Sequence, residues 1–335
     1  MKLDATQLSK IVHNVVSHSF DEKGSLHVCR FTKEQQDTYA KESEDWLMKT
    51  RSSASVTFDF ITDADYITLK FDLYPGSSQK YGSIDLYVDG VFEASRIAED
   101  LSIKLAGFLL PAGEHRITVY FPWSAETVIN EVQLSDGASV IPVEKSCKLM
   151  CFGDSITQGY ISKFTSLSYV NQVARALNAE VVNQGIGGYV FNDATIDESI
   201  LSCKPDIITV AYGTNDYSRY ETAEEYGEQA KKYIQKLAKL FPDTPIVGIL
   251  PIYRNDQNHN ARKLYRTYSL DDVRKLLADH YASLPKGYVL EETGIAHLPQ
   301  VYAADFLHPN EFGFTLMTHE IVRKLQAILD KRKES

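Results

Sequence analysis

Residues 148–155 decide how the second half of the chain folds, and they read Lys148-Leu149-Met150-Cys151-Phe152-Gly153-Asp154-Ser155. A short apolar stretch that ends in glycine and small polar residues is typical of a buried strand followed by a tight turn. The same arrangement recurs at 207–215, and shorter apolar runs follow at 246–250 and 288–290. Continuously apolar strands are typical of a parallel sheet that is covered on both faces.

Helical patterns separate these strands. Apolar residues within 170–177 recur at the i, i+3, i+4, i+7 spacing of one helix face. Further helices are predicted over 223–240, 270–284 and 312–329. Strands and helices that alternate in this way, joined by right-handed crossovers, predict an α/β fold for residues 143–335, namely a three-layer, doubly wound, flavodoxin-like parallel sheet.

Residues 1–142 have a different rhythm. Apolar and polar residues alternate over 66–73, and a further strand is predicted at 102–105. Asp89-Gly90 lies between two apolar pairs, which predicts a two-residue β-hairpin turn. Many short strands separated by turn residues predict an all-β sandwich or jelly-roll domain. Only 5–16 is predicted to be helical in this half.

Composition limits the function classes. The chain has 335 residues, of which 44% are hydrophobic and 24% charged, as expected for a globular protein with a sizeable core. A net charge of −10 disfavours nucleic acid as a partner. No apolar run approaches the roughly 20 residues of a membrane helix, so no membrane association is expected. Four scattered cysteines predict neither a disulfide framework nor a zinc site. We therefore expect a cytoplasmic protein without a metal or other cofactor.

The loops at the carboxyl ends of the parallel strands are where ligands bind in an open sheet. The first loop places Ser155 at a helix N-terminus, whose free N–H groups favour an oxyanion beside the serine. The alternative is that Asp154 or Ser155 only caps the helix. The second loop, 183–188, has three glycines among its last four residues. This predicts either close backbone approach to a ligand or a flexible turn.

Two further loops supply an amide and an imidazole. The side chain of Asn215 is a candidate oxyanion donor, although an Asx-turn is common at such a position. Asp305 precedes His308 by three residues, so its carboxylate can bond Nδ1 and leave Nε2 to act as a base. A serine, an Asp/His pair and oxyanion donors on one sheet edge are what nucleophilic acyl transfer needs.

Four blocks carry a resemblance to a known family, and they read Gly153-Asp154-Ser155, Gly188, Gly213-Thr214-Asn215-Asp216 and Asp305-Phe306-Leu307-His308-Pro309. In order and spacing the chain resembles the SGNH, or GDSL-type, hydrolases. The resemblance implies that Ser155 is the nucleophile and that His308 is its base, oriented by Asp305. It also implies an oxyanion hole made by the Ser155 N–H, the Gly188 N–H and the Asn215 side chain. Gly187 remains the alternative to Gly188, because the glycine pair leaves the register open by one residue.

The β half resembles the small N-terminal jelly roll of one group of these hydrolases, whose hallmark is Gly-x-Asp-Leu-Tyr. Residues 82–87 read Gly82-Ser83-Ile84-Asp85-Leu86-Tyr87, which is one residue longer. This two-domain layout is similar to that of carbohydrate esterases that remove acetyl groups from plant polysaccharides. The resemblance therefore implies small acyl groups on sugars as the substrate class.

Tyr189, Tyr253 and Arg254 are candidate pocket residues, with ordinary packing as the alternative for the tyrosines and a surface ion pair as the alternative for Arg254. Residues 254–265 are predicted to form a loop or lid. The expected function is a serine esterase that hydrolyses acetyl esters of a small-molecule or oligosaccharide substrate. One alternative is a lipase-like or thioester hydrolase of longer acyl chains. Another is a carbohydrate-binding protein with an inert hydrolase domain.

Overall fold

The computed structural model describes residues 1–254, 267–295 and 298–334. The chain divides into two compact units. The N-terminal unit holds Met1–Ser146 with Lys163–Ser166 and Glu180–Val182, and the C-terminal unit holds the remaining residues. The sequence-based boundary between residues 142 and 143 stays a prediction.

The N-terminal unit is built from antiparallel strands. They are β1 (Val12–His13), β2 (Ser17–Phe20), β3 (Leu26–Cys29), β4 (Thr57–Thr62), β5 (Tyr66–Pro75), β6 (Gly82–Val88), β7 (Val91–Ala98), β8 (Leu105–Leu109), β9 (His115–Tyr120), β10 (Ala125–Leu134) and β11 (Ile141–Pro142). One sheet has the order β1-β4-β9-β6-β7, with β11 paired to β4, and the other has the order β2-β3-β10-β5-β8. Buried and accessible residues alternate along β5, and inward side chains such as Phe58 and Phe71 share one core. This confirms that antiparallel sheets build the N-terminal unit, as the sequence predicts.

The hairpin between β6 and β7 forms where the sequence predicts it. Val88 pairs with Val91, and the two residues between them have φ angles of 50° at Asp89 and 80° at Gly90. Positive φ at both central positions is the type I′ turn, which asparagine, aspartate and glycine adopt most readily. The strand predicted at 102–105 begins instead at Leu105, because Asp100 Oδ1 accepts hydrogen bonds from the Ser102 N–H and hydroxyl and holds that segment in a turn.

The N-terminal unit also contains helices that the sequence pattern did not predict. Its helices are α1 (Ala5–Ile11), α2 (Lys33–Glu42) and α3 (Glu44–Thr50). The expectation of a single helix is therefore wrong, and the predicted helix 5–16 ends early because β1 follows it directly. The α2 segment is so polar that it shows no apolar stripe. The sequence feature that marks the start of this helix is the capping box, in which the side chains of Thr32 and Gln35 accept hydrogen bonds from each other's backbone N–H groups.

The C-terminal unit alternates strands and helices. Its strands are β12 (Cys147–Gly153), β13 (Ala179–Gly185), β14 (Ile207–Ala211), β15 (Ile246–Ile249) and β16 (Gly287–Leu290). Its helices are α4 (Ser155–Gln158), α5 (Tyr169–Leu177), α6 (Thr214–Arg219), α7 (Ala223–Leu240), α8 (Leu270–Ala282) and α9 (Glu311–Glu334). Strands β12, β14, β15 and β16 pair in parallel, while α5 packs with α9 and α7 with α8. This confirms the predicted parallel sheet with flanking helices.

The strand order indicates where along the carboxyl ends of the strands a ligand is expected to bind. The order is β13-β12-β14-β15-β16, so the chain leaves β12 first to one side and later returns to the other. The loops after β12 and β14 therefore diverge at a topological switch point, where open α/β sheets bind their ligands. Both Ser155 and Asn215 lie in the segments that follow these two strands.

Two expectations from composition concern the chain as a whole. No helix within the described ranges is both long and apolar enough to cross a membrane. The cysteines Cys29, Cys147, Cys151 and Cys203 are free thiols. Apart from Arg254, the predicted loop or lid at 254–265 lies outside the described residues.

Candidate active site

Ser155 stands at the first turn of α4, directly beyond β12. The turn needs glycine before it, because a Cβ on Gly153 would lie 2.0 Å from the Thr157 hydroxyl oxygen. Asp154 caps the helix, since its carboxylate accepts a hydrogen bond from the Ile156 N–H at 2.9 Å. Capping is thus the role of Asp154, and the Ser155 hydroxyl is left for another partner.

That partner is His308. The Ser155 hydroxyl oxygen lies 2.7 Å from His308 Nε2, and His308 Nδ1 lies 2.6 Å from Asp305 Oδ2. Because an ionised carboxylate only accepts hydrogen bonds, Nδ1 carries the proton, and Nε2 of the neutral ring is free to accept the serine proton. The structure therefore brings Ser155 of one loop together with the Asp305/His308 pair of another.

The loop itself holds Asp305 in its charged form. Burial alone would raise the pKa of Asp305, but hydrogen bonds from the His308 ring and from the Leu307 and His308 N–H groups, together with the electrostatic attraction of the ring, lower the pKa to about 2. Both backbone N–H groups bond Oδ1 at 3.0 Å, which leaves Oδ2 for the imidazole. The carboxylate is therefore fixed in orientation and charged at neutral pH.

The glycine-rich loop lies against Ser155. A Cβ on Gly187 would stand 3.6 Å from the Ser155 Cβ. The Gly187 N–H donates to Gln158 Oε1 at 2.8 Å. Gly188 is exposed, has a φ of 85°, and its N–H has no hydrogen-bond partner within the described residues. Of the two alternatives, Gly188 thus keeps its N–H available for a ligand.

Asn215 lies in the first turn of α6, after β14. One N–H of its amide donates to the Tyr189 carbonyl oxygen at 3.0 Å, which fixes the plane of the side chain. The amide has a second N–H, so fixing the first leaves a donor of defined direction. A bonded and oriented amide is better suited to stabilise developing charge than a mobile one.

Residues 151–316 match the sequence model of the GDSL-like lipase/acylhydrolase family. The chain carries a GDSL-like acylhydrolase domain. The match confirms the resemblance drawn from the four sequence blocks and the expected enzyme class, a carboxylic ester hydrolase of the SGNH/GDSL type.

Solved structures share the fold over nearly the whole chain. Salicylyl-acyltransferase SsfX3 from a tetracycline biosynthetic pathway is 18% identical with a TM-score of 0.80, covering 98% of this chain and 97% of that one. A putative GDSL-like lipase from Bacteroides ovatus is 19% identical with a TM-score of 0.75, covering 98% of each. A family two carbohydrate esterase from Clostridium thermocellum, in complex with cellohexaose, is 14% identical with a TM-score of 0.68, covering 95% and 99%. Curated protein sequences give no significant match.

Gln158 is a residue of the GDSL-like domain that sequence reasoning did not single out. Its side chain is fully buried and accepts the Gly187 N–H, so it ties the glycine loop to α4. Gly185 packs closely against the same helix, because a Cβ on Gly185 would lie 2.3 Å from the backbone nitrogen of Gln158. Spacing along the sequence could have identified Gln158, because residues three apart on a helix share a face and Gln158 follows Ser155 by three residues.

The candidate pocket residues have protein partners. The Tyr189 side chain is 1% exposed and its hydroxyl accepts from the Asn192 amide, so this residue reaches Asn215 through its carbonyl oxygen. Arg254 is 9% exposed and donates to the Thr214 carbonyl oxygen at 2.9 Å and the Ser218 hydroxyl at 2.6 Å. Arg254 thus holds the helix that carries Asn215.

Two other aromatic side chains differ in what they contact. The Arg274 guanidinium carbon lies over the Tyr253 ring, 4.6 Å from the ring centroid. The Tyr253 carbonyl oxygen accepts a hydrogen bond from the Tyr302 hydroxyl. The Tyr160 ring packs against the His308 imidazole, with 4.7 Å between the ring centroids. Tyr160 is therefore an aromatic residue that the structure brings to the candidate base.

The GDSL-like domain also buries two carboxyl groups beside the site. Burial raises the pKa of Asp154 to about 6 and that of Asp216 to about 7. Asp216 Oδ1 accepts from the Phe191 N–H at 2.9 Å, whereas Oδ2 is buried and has no hydrogen-bond partner in the described part of the chain. An unpartnered buried oxygen disfavours the charged form.

Asp216 should therefore make the protein less stable as the pH rises. Because its folded pKa lies above its unfolded value, the folded state binds the extra proton, and this stabilisation is full below pH 3.8 and lost as the pH rises through about 7. Asp216→Asn keeps the acceptor for Phe191 but cannot ionise. We expect the variant to gain up to about 4 kcal/mol over the wild type between pH 4 and pH 8.5, at about 1.4 kcal/mol per pKa unit.

Urea unfolding at pH 4, 6 and 8.5 measures this difference. Asp193→Asn, at an exposed carboxylate, is the control and should show no such trend. A constant difference between Asp216→Asn and the wild type at all three pH values would contradict the assignment.

Proposed function

We propose that the protein hydrolyses small acyl esters, in particular acetyl esters of carbohydrates, with Ser155 as nucleophile. The observation that carries the proposal is the continuous hydrogen-bond chain from the Ser155 hydroxyl through His308 to Asp305. The candidate nucleophile, base and orienting carboxylate are within hydrogen-bonding distance of one another, as a serine hydrolase requires.

The reaction runs in two steps. His308 Nε2 takes the hydroxyl proton of Ser155 while the oxygen attacks the ester carbonyl carbon, and the carbonyl oxygen becomes an oxyanion. When the tetrahedral intermediate collapses, the C–O bond to the alcohol breaks and His308 returns the proton to the leaving alcohol. Water, deprotonated by His308, then attacks the acyl-serine, and the carboxylic acid and free Ser155 are released.

The proposed oxyanion hole consists of the Ser155 N–H, the Gly188 N–H and the Asn215 amide. Its support is that the Gly188 N–H has no protein partner within the described ranges and that the Asn215 amide is held by Tyr189. Such donors act on charge that exists in the transition state, so they affect kcat more than KM.

Removing the Asn215 amide should therefore slow turnover without abolishing it. We expect Asn215→Ala to lower kcat by about 10²- to 10³-fold with little change in KM, because two backbone donors remain. Steady-state hydrolysis of p-nitrophenyl acetate gives both constants. Asn192→Ala, which removes a different amide bonded to Tyr189, is the control and should keep kcat within about threefold. A rise in KM alone would contradict the oxyanion role.

The acetyl-carbohydrate substrate rests on a likeness of fold, since the structural relatives include a family two carbohydrate esterase. A series of p-nitrophenyl esters from acetate to palmitate tests the acyl group, and acetate release from acetylated xylan tests the sugar. We expect kcat/KM to be highest for acetate and to fall with chain length, with Ser155→Ala slower by about 10⁶-fold on every ester. A preference for long chains would favour a lipase-like or thioester hydrolase. Absence of serine-dependent turnover on every ester would favour the carbohydrate-binding alternative.

A further inference from the structure

A groove of about 350 Å³ lies within the N-terminal unit, on the outer face of the sheet β2-β3-β10-β5-β8. Its position follows from strand register, since Tyr74 pairs with Glu126 and Asp72 with Val128 across β5 and β10. Residues two apart on a strand share a face, so these side chains point outward together while Phe71 and Ile129 point into the core. The rest of the lining consists of Asp21, Lys23, Ser25, His27 and Asn130.

Two of the carboxylates at the groove already have partners. Asp72 accepts from the Asn130 amide at 2.8 Å and pairs with Lys104 at 3.1 Å. Asp21 accepts from two backbone N–H groups of its own turn. Both carboxylates are therefore engaged in interactions within the protein that fix the sides of the groove.

Glu126 differs from these two residues. Its side chain is half-buried, and burial raises its pKa although the charges of Arg51 and His27 act in the opposite direction. No hydrogen bond to its carboxyl group exists within the described residues. The carboxyl oxygens of Glu126 are not among the enclosed unpartnered atoms of the described residues, so they reach solvent, and ligand hydroxyl groups can take the place of that water.

We propose that this groove binds a neutral saccharide, as a second site separate from the esterase site. Tyr74 is 50% exposed and offers a ring face to the C–H face of a sugar, while Val128 forms an apolar floor. Glu126 accepts from sugar hydroxyl groups. One N–H of the Asn130 amide is bonded to Asp72, and His27 Nε2 lies 3.4 Å from Asp21, so the second amide N–H and the other ring nitrogen supply the further polar contacts. Lys23 also lines the groove, Asp72 is paired with Lys104, and Asp21 lies 3.4 Å from the His27 ring, so the carboxylates of the lining are largely balanced and a neutral ligand fits best. All of these residues belong to the N-terminal unit, and the inference does not depend on ester hydrolysis.

Affinity electrophoresis tests this site with the full chain carrying Ser155→Ala, so that turnover does not enter the readout. The gels contain xylan, glucomannan or mixed-linkage β-glucan as soluble neutral polysaccharides. We expect at least one of them to retard the protein, and we expect Tyr74→Ala and Glu126→Gln to weaken that binding by about tenfold each. Two matched controls should bind as before: Tyr66→Ala, on the same face of β5 outside the groove, and Glu93→Gln, an exposed carboxylate of the other sheet.

Three outcomes would overturn the proposal. One is that none of the polysaccharides retards the protein. Another is that Tyr74→Ala and Glu126→Gln bind as tightly as the controls while thermal unfolding shows all variants folded. The third is that calcium chloride raises the melting temperature in a Glu126-dependent way while every polysaccharide leaves it unchanged, which would assign a cation to the groove instead.

Discussion

Ser155→Ala is expected to lower kcat for p-nitrophenyl acetate by about 10⁶-fold, the loss typical of removing a serine nucleophile that works with a histidine base. The reason is geometric: the Ser155 hydroxyl is the group that the structure holds 2.7 Å from His308 Nε2. Without it no acyl-enzyme forms, and only attack by water remains. Initial rates over a range of ester concentrations, with purified protein at high concentration, measure the residual turnover.

A second serine of the same unit provides the control for this variant. Ser168 is buried at the start of α5 and its hydroxyl makes no capping hydrogen bond, so Ser168→Ala should retain kcat within about twofold. A serine-directed fluorophosphonate should label the wild type once, at Ser155, as read by peptide mass spectrometry. Residual activity of Ser155→Ala within a hundredfold of the wild type, or labelling at another serine, would contradict the proposed nucleophile.

The sequence predicts the C-terminal unit well because each level of its pattern agrees. The strands are continuously apolar and the helices carry an apolar stripe, so α7 lies at Ala223–Leu240, where periodicity places it. In the N-terminal unit the same method misses α2 and α3. Those helices are short and polar, and their side-chain caps at Thr32 and Ser43 mark their starts better than hydrophobic periodicity does.

In the candidate site, too, local sequence patterns predict some features, while others depend on how side chains pack. The sequence singles out Ser155, Asn215 and His308 as candidates because each follows a strand or precedes a helix in a short, recognisable block. The contact of Gln158 with Gly187 and that of Arg254 with α6 depend on side-chain burial, which spacing along the chain does not reveal. The proposal of Gly188 over Gly187 as the donor likewise rests on the hydrogen bond that occupies the Gly187 N–H.

Asp305→Asn is expected to lower kcat by about 10⁴-fold, and more than Asp305→Ala does. The backbone N–H groups of Leu307 and His308 both bond Oδ1, so the introduced amide should keep its oxygen there and turn its NH₂ group toward His308 Nδ1. Nδ1 must then accept, which moves the ring proton to Nε2, the atom that has to take the proton of Ser155. Alanine forms no hydrogen bond with Nδ1 and so imposes no tautomer on His308. In Asp305→Ala, part of the protein therefore keeps the proton on Nδ1 and can still use Nε2 as the base.

Comparing the two variants therefore separates tautomer control from simple loss of charge. Kinetics with p-nitrophenyl acetate from pH 5 to pH 9 give the ranking, and the wild-type acid limb should contain no contribution from Asp305, because its pKa is about 2. If charge alone mattered, both variants would lose the same activity. If Asp305→Asn retained more activity than Asp305→Ala, the carboxylate would be holding the loop through Oδ1, and the proposed orientation of His308 by Oδ2 would be wrong.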